Sequence, residues 1–165
     1  MAMETHYGTP PAPPVVTAPA PDRAAWISLL AKTPAPLLRD AATRYGELPA
    51  YLWLRRPETG LAMVRARAGG SGAQFNLGEM SLTRCALRLP SGEMGVAYVA
   101  GRDSRHAELA AIFDALLQSP AQGQRVRQLV LAPLQQALDA AQAAAQAAAQ
   151  ATRVEFMTMV RGENA

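Results

Sequence analysis

The stretch from Leu82 to Gln118 reads LTRCALRLPSGEMGVAYVAGRDSRHAELAAIFDALLQ, and its hydrophobic period changes once along the way. Leu82, Arg84, Ala86 and Arg88 alternate with Thr83, Cys85, Leu87 and Leu89, the two-residue repeat of a strand with one covered face. Pro90, Ser91, Gly92 and Glu93 make a tight turn, and Gly95 to Ala100 form the returning strand. Beyond Gly101, Asp103 stands where a helix N-cap belongs. Leu109, Ile112, Phe113, Leu116 and Leu117 then recur at helical spacing until Ser119 and Pro120 end the run. A hairpin followed by an amphipathic helix sets the class: α+β, an antiparallel sheet with helices packed on its apolar face.

Working upstream, Tyr51, Trp53 and Arg55 alternate with Leu52, Leu54 and Arg56 before a turn at Pro57-Glu58-Thr59-Gly60. Met63, Arg65 and Arg67 alternate with Val64, Ala66 and Ala68. The connections are too short for crossovers, so the sheet is expected to be a meander. Earlier still, Asp22 caps a helix over 22–32 with Trp26, Leu29 and Leu30 on one face. Thr33 as cap and Pro34 open a second helix, striped by Leu37, Leu38 and Ala41 and ending near Tyr45 and Gly46. The pair resembles a helix-turn-helix unit, but Arg39 and Arg44 are slender base-reading chemistry. A helical hairpin packed on the core is favoured, and no nucleic-acid partner is expected.

Residues 1–20 are proline-rich and poor in large apolar groups, which predicts a disordered arm ahead of a single domain over 21–165. Downstream, a long helix is expected from 124 to 152, ending in AQAAAQAAAQ, whose alanines supply little buried area. Val154, Phe156, Thr158 and Val160 then alternate with Glu155, Met157 and Met159 as a last strand.

The chain of 165 residues has no apolar run of about 18 or more, the length a membrane helix needs. Its start lacks a signal-peptide pattern, and Cys85 is the single cysteine, so a cytoplasmic protein is expected. Net charge is +3, carried almost wholly by arginine, with Lys32 the only lysine. That modest excess points to an anionic or phosphorylated partner more than to nucleic acid.

Arg65 to Glu79, RARAGGSGAQFNLGE, is the most informative segment for chemistry. Gly69, Gly70 and Gly72 can take positive φ and turn N–H groups toward an anion, as in a phosphate cradle. No Gly-Lys-Ser/Thr follows, so this is no P-loop, and a wide hairpin loop explains the same glycines. Arg65 and Arg67 share one strand face, as do Arg84 and Arg88. Were the register to bring the pairs together, four guanidinium groups would line one exposed face and grip a carboxylate or polyphosphate. A solvated face with scattered ion pairs is the alternative. Asp103, His106 and Glu108 form a secondary group at a helix start, where capping is the commoner role. Cys85 should point inward as a structural thiol, and no Cys/His spacing suggests a metal or iron–sulfur site.

Three blocks carry a resemblance: VRARAGGSGAQFNLGEMSLTRCALRL, GVAYVAGRDSRHAELAAIFDALLQ and the terminal TRVEFMTMVRGENA, which with the Trp26 helix and Glu58-Thr59-Gly60-Leu61 are similar, in order, to the PhnG family. The resemblance implies the G subunit of the bacterial carbon–phosphorus lyase core, assembled with PhnH, PhnI and PhnJ-like subunits and, transiently, a PhnL-like ATPase. With MgATP as substrate, the G, H, I and L proteins of that family transfer the ribose triphosphate part of ATP onto an alkylphosphonate and release adenine. The J subunit holds the iron–sulfur cluster and uses S-adenosylmethionine for carbon–phosphorus cleavage. The nucleosidase step is attributed to the I subunit, so the implied role of this chain is supporting, with no cofactor of its own and no named catalytic residue. The alternative from the residues alone is a stand-alone anion- or nucleotide-binding protein or regulator.

Overall fold

A computed structural model describes residues 23–152. In chain order it comprises α1 (Arg23–Lys32), α2 (Ala35–Tyr45), β1 (Leu52–Arg67), β2 (Gln74–Arg88), β3 (Met94–Ala100), α3 (Ser104–Gln118), α4 (Gly123–Val126), a π-helical turn (Arg127–Leu131) and α5 (Ala132–Ala151). The strands pair antiparallel in the order β1-β2-β3, the expected meander, and the α+β class holds. The disordered arm and the last strand expected at the two ends lie outside the described residues.

Helix α3 is the centre of the core. Its Ala107, Ala111, Ile112, Phe113 and Ala115 have no solvent contact, and it touches β2, β3, α1, α2 and α4. Burial of side chains such as Ile112 and Phe113 contributes about 1.5–3 kcal/mol each. Small residues let the helix lie close on the sheet. A Cβ added to Gly95 in β3 would stand 1.8 Å from the Ala111 carbonyl oxygen, so only glycine fits at that crossing. Asp103 caps α3 as expected, accepting from the His106 N–H at 2.9 Å.

Among the described residues one carboxylate is fully buried. Asp114 accepts from Arg23 Nε and Nη2 at 3.1 and 2.8 Å, from the Trp26 indole N–H at 2.8 Å and from the Val96 N–H at 2.9 Å. One side chain of α3 thus ties α1 and β3 together with its charge fully compensated, the condition for burying it at all. Arg127 covers the Trp26 ring, 5.1 Å from its centroid, and adds a cation–π contact to the same joint.

Several local expectations are corrected. Pro57-Glu58-Thr59-Gly60 is not a turn: β1 runs through it, with register shifts between Trp53 and Arg55 and between Arg55 and Glu58. β1 is an edge strand, and its bulges accommodate the extra residues and a proline without an N–H to offer. Thr33 does not cap α2. Its hydroxyl donates back to the Leu29 carbonyl at 2.8 Å, and Pro34 occupies the N-cap position without a side-chain bond. The long helix is interrupted by the π turn, in which Ala132 N–H bonds the Arg127 carbonyl. The next residue, Pro133, has no N–H and would crowd the carbonyl four residues back, and the wider turn relieves that clash. Beyond Leu138 every described residue of α5 is exposed.

The β1–β2 hairpin outreaches the helices. From Gly60 opposite Leu82 to Arg67 opposite Gln74 it extends about 23 Å, at roughly 3.3 Å per residue. No residue from 58 to 80 is buried.

Candidate functional site

The glycine cluster sits at the tip of this arm. Gly69 and Gly70 have φ of 59° and 79°, the left-handed values a tight reversal requires. Gly72 N–H donates to the Ala68 carbonyl at 3.0 Å, and Arg67 donates to the Gly72 carbonyl at 3.0 Å. These bonds close the turn on itself, which is the hairpin-loop geometry.

Arg84 and Arg88 lie at the base of the hairpin, and the register separates them from the tip. Arg84 stands opposite Glu58, whereas Arg65 stands opposite Asn76, roughly 25 Å farther along the strands. Alternation from Glu58 also turns Arg65 and Arg67 to the other face of β1. A bulge at the Val64–Arg65 step, with Leu77 as the extra residue of β2, accompanies the change. The single face of four guanidinium groups is therefore not formed within this chain.

Arg84 instead belongs to a local network. Its Nε donates to Glu58 Oε1 at 2.8 Å, and Arg55 Nη1 donates to the same oxygen at 2.8 Å. The Arg84 hydrogen bond, helped by Arg55, holds the Glu58 carboxyl below the usual carboxylate range. Arg88 reaches the Met94 sulfur at 3.5 Å. Glu58, Arg84 and Tyr98 line a cleft of about 340 Å³ with Thr59, Gly60, Leu61 and Leu82.

The secondary group divides by role. Asp103 caps α3 and pairs with Arg39 from α2. His106 is buried, and its Nε2 bonds the Leu30 carbonyl at 2.9 Å, which makes it a bridge from α3 to α1. Glu108 accepts from the Tyr51 hydroxyl at 2.5 Å and from Arg105 at 2.7 Å. Burial, then Glu108, pushes the Tyr51 phenol up to about 12. Cys85 is buried as expected, with its thiol on the Ala107 carbonyl at 3.2 Å and pushed up to about 12 by burial.

Three contributors escaped the sequence reading: Asp114, Glu58 and Tyr51. Asp114 left a signal, an acid set between Phe113 and Ala115 on an otherwise apolar helix. Glu58 was masked by its place in an apparent turn. Among the described residues no group of three or more His, Cys, Asp or Glu side chains gathers as a metal site, and no helix is long and apolar enough to cross a membrane. The arrangement offers ion pairs, capping bonds and an open arginine-bearing sheet face.

Comparison with known proteins gives this surface a context. The family described as phosphonate metabolism protein PhnG matches residues 21–162. A relative from Rhizobium meliloti (strain 1021), named alpha-D-ribose 1-methylphosphonate 5-triphosphate synthase subunit PhnG, is 47% identical over 116 residues, covering 70% of this chain and 74% of that one. The family match spans the helical hairpin, the arm and α3 alike, and on that ground the chain belongs to the PhnG family of phosphonate metabolism proteins.

Proposed function

We propose that this chain is the G-type subunit of a cytoplasmic α-D-ribose 1-methylphosphonate 5-triphosphate synthase within a carbon–phosphorus lyase assembly. In the reaction of that complex the C1′–N9 bond of MgATP breaks, a phosphonate oxygen bonds to C1′, and adenine leaves with a proton. The chain supports this transfer as a structural partner of H-, I- and J-type subunits, with an L-type ATPase joining transiently. The iron–sulfur cluster and S-adenosylmethionine of the later carbon–phosphorus cleavage belong to the J-type partner.

The observation that carries this reading is the likeness to a protein named as a subunit of that synthase. The form of the molecule supports it. Leu61, Met63, Phe75 and Leu77 are exposed on an arm that its own helices do not cover, an expensive arrangement for a chain that works alone. Co-expression with and without the H-, I- and J-type subunits tests it. A stoichiometric complex that releases adenine in the presence of an alkylphosphonate, beside an inactive isolated chain, is the expected outcome. Robust activity from the chain alone would overturn the supporting role; a monomer that ignores those subunits would favour a stand-alone anion-binding protein or regulator.

A further inference from the structure

The two antiparallel registers define the outer face of the sheet row by row. Leu52, Arg88 and Met94 lie side by side, then Arg55, Ala86 and Val96, then Glu58, Arg84 and Tyr98, then Gly60, Leu82 and Ala100. The other face is taken by α3, against which Thr83, Cys85, Leu87, Ala97 and Val99 are buried. No described element covers the outer one: Leu52, Met94 and Tyr98 are 65%, 45% and 53% exposed.

We propose that this open sheet face is the docking surface for a partner subunit that presents carboxylates around an apolar centre. The inference rests on the assembly reading and specifies where one contact is made. Charge selects the occupant. The face carries three arginines, Arg55, Arg84 and Arg88, against one glutamate, Glu58, which Arg55 and Arg84 already share. A second copy docked by a twofold axis would set this net positive face against itself, and like charges brought together in an interface oppose association. A carboxylate-bearing surface meets the opposite condition. Arg88, which reaches the Met94 thioether and pairs with no carboxylate among the described residues, has its ionic capacity open to it. The flanking Leu52, Met94 and Tyr98 give the apolar area from which such interfaces draw their affinity, with tyrosine and arginine the residue types that dominate them.

The test uses the full chain co-expressed with the H-, I- and J-type subunits, comparing wild type with Arg84→Glu/Arg88→Glu and Arg84→Ala/Arg88→Ala. The expected result is capture weakened at least about tenfold by the double reversal and less by the double alanine. The isolated variants should remain folded with the mass of a monomer, the reversal melting a little below wild type because Arg84 no longer pairs with Glu58. Should the reversal melt early, Tyr98→Asp carries the same test from a side chain that is more than half exposed. If wild type assembles and the folded variants assemble equally well, the face is not a docking surface and the assembly reading stands. If the isolated wild-type chain is a dimer that the reversal splits, the occupant is a second copy and the proposal fails. Undiminished assembly combined with lost ATP retention would make the face a polyphosphate site, again overturning it. Failure of the wild-type chain itself to assemble removes the assembly reading, and this inference with it.

Discussion

Helix α3 and the β1–β2 arm are comparable stretches of chain put to opposite uses. Eleven of the 15 residues of α3 are buried, so almost any change there alters packing on several sides at once. No residue from 58 to 80 is buried, so the arm is held by its own ladder and by whatever binds it. The same division runs through the polar groups. Asp114, His106 and Cys85 each satisfy a bond inside the fold, while Arg55, Glu58 and Arg84 pair on the surface, where solvent screens an ion pair and leaves it little weight in stability. Stability resides in the helix, and the docking proposed above falls on the open side of the hairpin sheet.

The largest effect should come from breaking the helix side at its charge. Asp114→Ala removes the acceptor for Arg23, Trp26 and the Val96 N–H at once, and breaking a buried pair from one side costs about 3–5 kcal/mol. Arg23 retains some solvent contact, which favours the lower end. Chemical denaturation of the isolated chain reads this directly, and a loss under about 1 kcal/mol would mean that the joint is not holding α1 to the sheet. Gly95→Ala comes next. Its Cβ would meet the Ala111 carbonyl oxygen, and an overpacked core costs about 1–3 kcal/mol as α3 is pushed off the sheet. A melting temperature equal to wild type would show that α3 has slack at this crossing.

On the arm the expectation reverses. Leu77→Ser should leave the stability of the isolated chain within about 0.5 kcal/mol, because an exposed leucine has little burial to lose. It should weaken assembly with the partner subunits, and equal assembly would detach the arm from the interface. A substitution that is silent alone and harmful in the complex is the sharpest separation of the two regions.

The same asymmetry decides what could be read from the amino acids. Alternation is clear at 82–89 and 95–100 because α3 covers one face of those strands and water the other, and the stripe of α3 follows from its position over them. Across Phe75-Asn76-Leu77-Gly78-Glu79-Met80 the alternation does not keep its phase, apolar Leu77 and Met80 lying three apart, since no residue there is buried and neither face selects for polarity. Pro57 looked like a turn because a bulge on an edge strand has the same composition as one. The spacing of Arg65 and Arg67 from Arg84 and Arg88 depends on the pairing frame and on the extra residue at Leu77, which no local signal marks. Asp114 was legible only as an exception, one charge within an apolar helix.

The smallest effect, nil at neutral pH, concerns the two groups that the fold keeps protonated. Burial pushes the Cys85 thiol up to about 12, with nearby Glu108 adding to the shift, whereas an unfolded thiol ionises near 8.5. The native state therefore binds a proton that the unfolded chain has released. The stabilisation is fully present below about pH 8.5 and is lost as pH rises toward 12. Tyr51, raised to about 12 by burial and by its bond to Glu108, behaves likewise from about pH 10, the ordinary phenol range. Stability measured from pH 8 to 11 should hold level at first and then fall, and Cys85→Ser should delay the fall while Tyr51→Phe alters only its upper part. A thiol reagent should label native Cys85 far more slowly than the unfolded chain at pH 9. Equal rates would place the thiol at the surface and remove it from the protected helix side of the comparison.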